Sequence, residues 1–218
     1  MRKILFVVLC LIFLSAPSFA DYMPAYTNSL YHFGSGLMSA KGSINVYPSD
    51  DDKTPPVAIF NIDKNYFSCK KQGIKKCSAE DSFVAFVPEN DIALFSVEGD
   101  YDNWFYICYD QSKKLFGWVK KSEFTDFISW ENLLDIYGRK YGVYLFRNTP
   151  DKYKKLYSGP DENNTMVDDF YYPKHIALWL LSDDWMLVKV TTYDGITKTG
   201  WMRWRLDDNS IIAFPAFK

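Results

Sequence analysis

The chain is poor in the side chains from which most active sites are built. Its 218 residues include only two histidines, His32 and His175, and four cysteines. The His-x-His, Cys-x-x-Cys and His-Glu-x-x-His spacings of zinc sites are absent. No glycine-rich loop of the kind that cradles a phosphate is present either. These absences favour a binding protein over an enzyme, and we expect no cofactor and no metal.

Positive charge and long apolar runs are also scarce. The chain has 25 Lys and Arg residues against 27 Asp and Glu, a formal net charge of −2. Because no long basic run occurs, nucleic acid and anionic membrane surfaces are poor candidate partners. Beyond residue 20 no apolar stretch approaches the roughly 20 residues that cross a bilayer. We therefore expect no transmembrane anchor in the mature chain.

Residues 1–20 have the pattern of a secretory signal peptide. Arg2 and Lys3 form a basic start, Ile4–Leu14 is an unbroken apolar run, and Ser18-Phe19-Ala20 ends in a small-x-small cleavage motif. An uncleaved anchor helix is the alternative, but the apolar run is too short to span a bilayer. We predict cleavage after Ala20 and a periplasmic or secreted mature protein.

Three cysteines, Cys69, Cys77 and Cys108, follow the signal peptide. Export implies an oxidising compartment. Cys69 and Cys77 flank a short lysine-rich segment with a central glycine, so a disulfide closing this hairpin-like loop is the natural pair, at about 2–3 kcal/mol. Pairing of Cys108 with either of the other two remains open. A nucleophilic Cys108 would need a base, and none is near it in sequence, so we interpret it as a strand residue.

Aromatic residues are abundant, with 17 Phe, 16 Tyr and 7 Trp, and they favour β-strands. Two stretches share a series of marks: Ile92–Val119 and Ile176–Met202. Both have Ile-Ala-Leu, an Asp two residues before a Trp, a Tyr-Asp pair and a Gly-Trp. We interpret them as an internal repeat. The segment that leads into the first copy is longer than its counterpart, and this insertion contains the cysteine loop.

The spacing within each copy resembles bacterial SH3-like (SH3b) domains. The marks of the resemblance are a Trp that opens a strand, an aliphatic residue three positions later, and a Gly-Trp after a polar turn. They fall at Trp104, Ile107 and Gly117-Trp118 in the first copy, and at Trp185, Val188 and Gly200-Trp201 in the second.

The resemblance implies an all-β fold of two tandem, small, partly open barrels. The expected organisation is a signal peptide at 1–20, a first SH3-like domain at 21–130 with a disulfide-bearing insertion around 57–87, a linker with a helical pattern at 131–140, and a second domain at 141–218. If the domains are independent, Tyr141–Lys218 should fold alone.

The family resemblance also suggests candidate ligand-binding residues. SH3-like modules bind peptides or cell-wall material through aromatic residues in loops and at strand starts, and they are not catalysts. The corresponding candidates are Trp104, Tyr106, Trp118, Trp185, Trp201 and Trp204, with Arg203 and Arg205 beside the last. The competing interpretation is that each Trp fills a core. For Trp118 and Trp201, recurrence in both copies favours a scaffold role.

Two functions compete at this point. One is recognition of cell-envelope material, peptidoglycan or peptide, where two linked copies would gain avidity. The other is an inhibitor or immunity-type protein that binds an exported protein partner, because a disulfide-stiffened loop lowers the ordering cost of such binding.

Overall fold

A computed structural model of the chain describes residues 34–64, 66–147 and 149–217. The predicted signal peptide, Cys10 and His32 lie outside these residues. Within them the protein is predominantly β, as the sequence predicts, and its strands form three antiparallel sheets. No helix among the described residues is long and apolar enough to cross a membrane.

Sixteen strands are found in the described part of the chain. They are β1 (Gly36–Ala40), β2 (Gly42–Val46), β3 (Ala58–Asp63), β4 (Tyr66–Lys71), β5 (Ala85–Val87), β6 (Ile92–Asp100), β7 (Trp104–Asp110), β8 (Leu115–Lys120), β9 (Thr125–Ile128), β10 (Val143–Leu145), β11 (Lys155–Tyr157), β12 (Met166–Asp169), β13 (Pro173–Ser182), β14 (Trp185–Thr192), β15 (Thr197–Arg203) and β16 (Ala213–Pro215).

Helices are short. The helix α1 (Ala79–Ser82) lies before β5, and 3-10 turns occupy Pro88–Asn90 and Asp151–Tyr153. A longer helical segment joins β9 to β10 and consists of α2 (Trp130–Leu133), a π-turn (Leu134–Gly138) and α3 (Arg139–Tyr141). The Ser129 hydroxyl accepts a hydrogen bond from Asn132 N at 3.1 Å and caps its start. Residues 131–140, expected as a linker, thus lie within a helical segment.

Two of the sheets repeat the same strand order. The first runs β8-β7-β6-β1-β9, and β5 also pairs with β6; the second contains β15-β14-β13-β10-β16. Each is a three-strand meander extended by one strand from before the meander and one from after it. In both, the chain ahead of the meander also reaches the outer strand: Tyr47 pairs with Trp118, and Tyr157 with Trp201.

The pairing register shows which residues of the two meanders are equivalent. Both have a β-bulge at the same place, between Val97 and Gly99 in the first and between Leu178 and Leu180 in the second. Val97 lies opposite Ile107, and Leu178 lies opposite Val188. The equivalent of Ile176-Ala177-Leu178 is therefore Phe95-Ser96-Val97. The Ile-Ala-Leu of the first stretch begins three residues earlier, so this shared mark is coincidental.

The insertion of the first half adds β4, α1 and β5, which have no equivalent in the second half. Strands β2, β3 and β4 form a three-stranded sheet, whereas in the second half β11 pairs with the short β12 and with β15. Cys69 and Cys77 form the predicted disulfide, with their Cα atoms 5.9 Å apart. The bond links β4 to the segment before α1.

The buried side chains fall into two clusters. One lies between the insertion and the first sheet and is rich in phenylalanine, with Phe60, Phe83 and Phe95 in mutual ring contact. The other contains residues from both halves, including Leu37 and Leu94 from the first sheet together with Val143 and Phe214 from the second. The two meander-containing halves therefore share a core.

Candidate functional site

Trp104 and Trp185 open the middle strands of the two meanders and have the same surroundings. Tyr47 meets Trp104 edge to face, with ring centroids 5.8 Å apart and planes at 88°. Tyr157 meets Trp185 at 5.6 Å and 89°. Such geometry directs the positive ring edge at the negative ring face. The near-identity of the two pairs indicates a role in the repeated scaffold.

A cation covers each of these tryptophans and is held by a carboxylate. Lys120 Nζ lies 6.0 Å from the Trp104 ring centroid, and the Arg203 guanidinium carbon lies 5.1 Å from that of Trp185. Lys120 pairs with Asp52 at 2.8 Å, and Arg203 with Glu162 at 2.9 Å. A hydrogen bond from Lys120, followed by its charge, lowers the pKa of Asp52. These cation–π and ionic contacts leave neither tryptophan with a free ring face on that side.

The glycine before each recurring tryptophan is required by a close approach. A Cβ on Gly117 would lie 2.5 Å from Val46 Cγ1 and 2.9 Å from the Tyr47 carbonyl oxygen. On Gly200 it would lie 2.7 Å from Leu156 Cβ and 3.1 Å from the Tyr157 carbonyl oxygen. Gly-Trp is thus the point where the outer strand of the meander comes closest to the strand ahead of the meander: β8 to the end of β2 in the first half, and β15 to β11 in the second.

Trp204 and the arginines beside it are engaged inside the protein. Trp204 is fully buried, and its Nε1 donates to the Asp183 carbonyl oxygen at 2.8 Å. The Arg205 guanidinium stacks over it at 4.8 Å and bonds to Asp184 at 2.6 Å. Arg203 bonds to Glu162 and also to Asp207 at 2.8 Å. Trp204 presents no surface to a ligand, and both arginines have carboxylate partners.

Tyr106 and Trp118 belong to a larger group of aromatic side chains, which we call the aromatic strip: Tyr101, Trp118, Tyr106 and Phe116. Trp118 lies 5.1 Å from Tyr101 and 4.9 Å from Tyr106, centroid to centroid. Tyr106 stacks on Phe116 at 5.8 Å. Tyr101 is 54% exposed and Phe116 39% exposed. The strip is therefore a row of four contacting rings with its two ends open to solvent.

Strand pairing explains how the strip forms. Tyr106 lies opposite Trp118, and Cys108 lies opposite Phe116, on the adjacent strands β7 and β8. Residues two apart along a strand share a face, so Phe116 and Trp118 point the same way. That alternation was available in the sequence and would have added Phe116 to the candidates. Tyr101 lies just beyond β6, and nothing in the sequence indicated that its ring folds back onto Trp118.

The second meander has no such strip. The register places Leu187 opposite Trp201 and Lys189 opposite Thr199, so the equivalents of Tyr106 and Phe116 are Leu187 and Thr199. Trp118 and Trp201 are common to both halves, whereas the other aromatic rings occur only in the first. A feature present in one copy of a repeated scaffold is not needed to build that scaffold.

Cys108 lies opposite Phe116 of the aromatic strip, on β7, and it is unsuited to nucleophilic chemistry. It is buried and not disulfide-bonded. Burial raises the pKa of its thiol to about 11, so the thiolate is negligible at neutral pH. His175 is exposed at the second sheet. Among the described residues no group of three His, Cys, Asp or Glu side chains is placed to hold a metal ion.

A cavity of about 530 Å³ lies between the β3–β4 hairpin and the start of β6. Ala40, Ile62 and Ile92 supply apolar walls, and the exposed Lys64–Asp91 ion pair also lines it, with the two charged atoms 3.3 Å apart. The mainly apolar lining suits a protruding apolar side chain of a protein partner.

Comparison of the sequence with known proteins gives no family assignment. No family model matches the chain, and no curated protein matches it.

Proposed function

We propose that the chain is an exported, non-catalytic binding protein with two tandem SH3-like units, which recognises cell-envelope material through the aromatic strip. The matched strand order and the matched tryptophan surroundings support two copies of one small β-unit. The Cys69–Cys77 disulfide supports an oxidising compartment, in agreement with the signal-peptide pattern. The observation that carries the proposal is the strip, because it is an exposed aromatic surface that the repeated scaffold does not require.

The chemistry of the strip suits the glycan of the cell wall. The face of an aromatic ring carries partial negative charge, and the C–H groups on one face of a sugar ring are weakly positive. The exposed rings at the two ends, Tyr101 and Phe116, offer platforms to separate residues of a polymer, and Tyr106 and Trp118 between them are partly exposed. Contiguous exposed apolar surface of this kind marks a binding site in soluble proteins.

A sedimentation assay with purified peptidoglycan tests the proposal. The mature protein is expected to sediment with the polymer, and Tyr101→Ala and Phe116→Ser are each expected to weaken binding about tenfold. Tyr66→Ala is the matched control, because Tyr66 is also exposed but lies on β4, away from the strip. Sedimentation unchanged by both strip substitutions would exclude the strip, and no sedimentation at all would exclude wall binding.

The inhibitor or immunity-type function is the second candidate, and the insertion favours it. The disulfide and a buried ion pair between Lys71 and Asp110 hold the insertion against β7, so its hairpin is presented with little freedom to lose. The cavity of about 530 Å³ lies at that hairpin. Capture of one exported protein, weakened by Lys64→Glu at the exposed rim of this cavity but not by Tyr101→Ala, would replace the wall-binding proposal with this one.

A further inference from the structure

The two halves differ at the tip of the hairpin that follows the middle strand of each meander. In the first half the insertion covers this tip. Gln111 N donates to the Asp81 carbonyl oxygen of α1 at 2.7 Å, and Lys71 Nζ reaches the Asp110 carboxylate at 2.9 Å. The second half has no equivalent insertion, and the tip between β14 and β15 is uncovered.

Aromatic side chains are exposed at this uncovered end. Tyr172 is 85% exposed, Tyr193 76% and Tyr171 53%. They line a cavity of about 380 Å³ together with Phe170, Thr192, Asp194, Ile196 and Lys198. None of the three tyrosines contacts another aromatic ring of the described chain, in contrast to the rings of the aromatic strip. Tyr172 and Tyr193 are mostly exposed, and Tyr171 is about half exposed, so a ligand can reach all three rings.

The backbone at Tyr172 is held in a conformation that this residue type rarely adopts. Its φ is +51°, in the left-handed region that favours glycine. A bulky residue in that region costs on the order of 1 kcal/mol. Glycine at this position would avoid the cost, so the chain keeps a tyrosine ring here at the expense of some backbone strain.

The charged residues that line the cavity are Asp194 and Lys198, and Asp168 beside Lys198 makes the surroundings negative. The single lysine that lines it, Lys198, is engaged by the Asp168 carboxylate at 2.8 Å and by the Asp169 carbonyl oxygen at 2.6 Å. The Asp194 carboxylate accepts hydrogen bonds from the Thr192 hydroxyl and, at 3.5 Å, from Ile196 N. These bonds, led by the one from Thr192, lower the pKa of Asp194, so it is ionised at neutral pH. The charge of Lys198 also contributes to the lowered pKa of Asp194, but Lys198 is held by Asp168, and Asp194 forms no direct ion pair with a described residue. A ligand in the cavity therefore meets exposed tyrosine rings and a carboxylate that has no ion-pair partner in direct contact.

We propose that Tyr171, Tyr172, Tyr193 and Asp194 form a binding site for an alkylammonium group. An organic cation is attracted both by the electron-rich faces of aromatic rings and by a carboxylate. An anion would be repelled by Asp194, and a neutral ligand would gain at most a hydrogen bond from it, without the ionic attraction. A lysine-type side chain of a peptide and a choline headgroup both carry this chemistry. The site is separate from the aromatic strip and goes beyond the wall-binding proposal.

The test compares choline with 3,3-dimethyl-1-butanol, which has the same shape but no charge. In a titration of the mature chain followed by NMR, choline should shift the amide resonances of residues 170–172 and 192–198, and the neutral alcohol should bind at least tenfold more weakly. Tyr172→Ala and Tyr193→Ala should each weaken choline binding roughly 3- to 30-fold. Asp194→Asn keeps an acceptor for Ile196 N but removes the charge, and it should weaken choline binding to a similar degree.

Tyr66→Ala is the matched control, because it removes an exposed ring on β4, outside both the aromatic strip and this cavity, and should leave choline binding unchanged. Equal binding of choline and the neutral alcohol, or choline binding unaffected by Tyr172→Ala and Asp194→Asn, would overturn the proposal, as would no detectable binding at millimolar choline. N-acetyl-lysine methylamide and phosphatidylcholine vesicles, tested in parallel, distinguish the peptide source from the lipid source. If the unaltered mature chain binds choline but does not sediment with peptidoglycan, only the wall-binding proposal is excluded.

Discussion

At the scale of single residues, the glycine before each recurring tryptophan has the most restrictive environment. We expect Gly117→Ala and Gly200→Ala each to destabilise the protein by about 1–3 kcal/mol, because the added methyl group meets a packed aliphatic side chain and a carbonyl oxygen. Urea denaturation monitored by tryptophan fluorescence measures the change. Gly159→Ala is the control, since its Cβ would meet mainly the exposed side chain of Asn164, which can move. Equal effects at the three positions would contradict this explanation.

The Lys71–Asp110 ion pair is the second residue-scale feature with a measurable consequence. Both side chains are buried, and the charged atoms are 2.9 Å apart. Lys71→Met leaves the Asp110 carboxylate buried without its cation, and we expect a loss of about 3–5 kcal/mol in the free energy of unfolding. Lys64→Met breaks the exposed Lys64–Asp91 pair and should cost no more than about 1 kcal/mol. Similar losses in the two variants would show that the buried pair contributes no more to the free energy of unfolding than the exposed pair.

The same pair should make the protein sensitive to acid. Burial alone would raise the pKa of Asp110, but hydrogen bonds from Lys71, Ser112 and Lys113 outweigh burial and lower it below its usual value of 3.8. A carboxyl group with a lowered pKa stabilises the folded state above its unfolded pKa, and this contribution is lost as the pH falls through the lowered value. Stability measured by urea denaturation should therefore fall below about pH 4 and fall less in Asp110→Asn. An unchanged acid profile in that variant would exclude Asp110 as the cause.

At the scale of secondary-structure elements, the insertion depends on its disulfide. Replacing Cys69 and Cys77 by serine should destabilise the protein by about 2–3 kcal/mol, because the bond restricts the unfolded loop between them. Denaturation of the double variant, beside wild type with and without reductant, measures the effect. Reductant should act on wild type and not on the variant. Replacement of the buried Cys108 by alanine, with its own smaller cavity cost, should leave the response to reductant intact.

The elements also show how far sequence reasoning reached. The tryptophans and Gly-Trp pairs located equivalent positions because close backbone approach and ring packing restrict those sites to one residue type. The Ile-Ala-Leu segments did not mark equivalent positions, because many aliphatic triplets fit a buried strand and such a triplet therefore carries little positional information. The tyrosine cavity was not predicted, since its residues come from two separate loops and meet only through the fold. The disulfide was predicted correctly because its two cysteines are close in sequence.

At the scale of the whole molecule, the shared core changes the expectation for an isolated second half. Buried residues of the first sheet, from β1, β5 and β6, pack in one cluster with residues of the second sheet. Asn90 Nδ2 also donates to the Phe217 carbonyl oxygen at 2.7 Å. Tyr141–Lys218 alone would expose part of that cluster to water. We now expect this fragment to be unstable, in contrast to the expectation from sequence.

Circular dichroism and dye binding to exposed apolar surface test this expectation. The fragment should show a weak or heat-labile β-signal and bind the dye, whereas a chain of residues 21–218 should unfold in one transition. A fragment that unfolds cooperatively and binds no dye would show that the second half is an independent domain. A single transition of the intact chain would also mean that a destabilising change in one half lowers the stability of the other.

The position of β1 bears on how the chain reaches this structure. This strand is near the start of the described chain, yet it lies between β6 and β9, and Leu37 pairs with both Ser96 and Ile128. During synthesis β1 has no second neighbour until Ile128 has left the ribosome. Pairing between segments so far apart in sequence closes slowly, because a large loop must be ordered first. The first sheet therefore stays incomplete through more than half of translation, and if the chain is exported, as proposed above, late folding would keep it accessible to a secretion machinery that threads unfolded polypeptide.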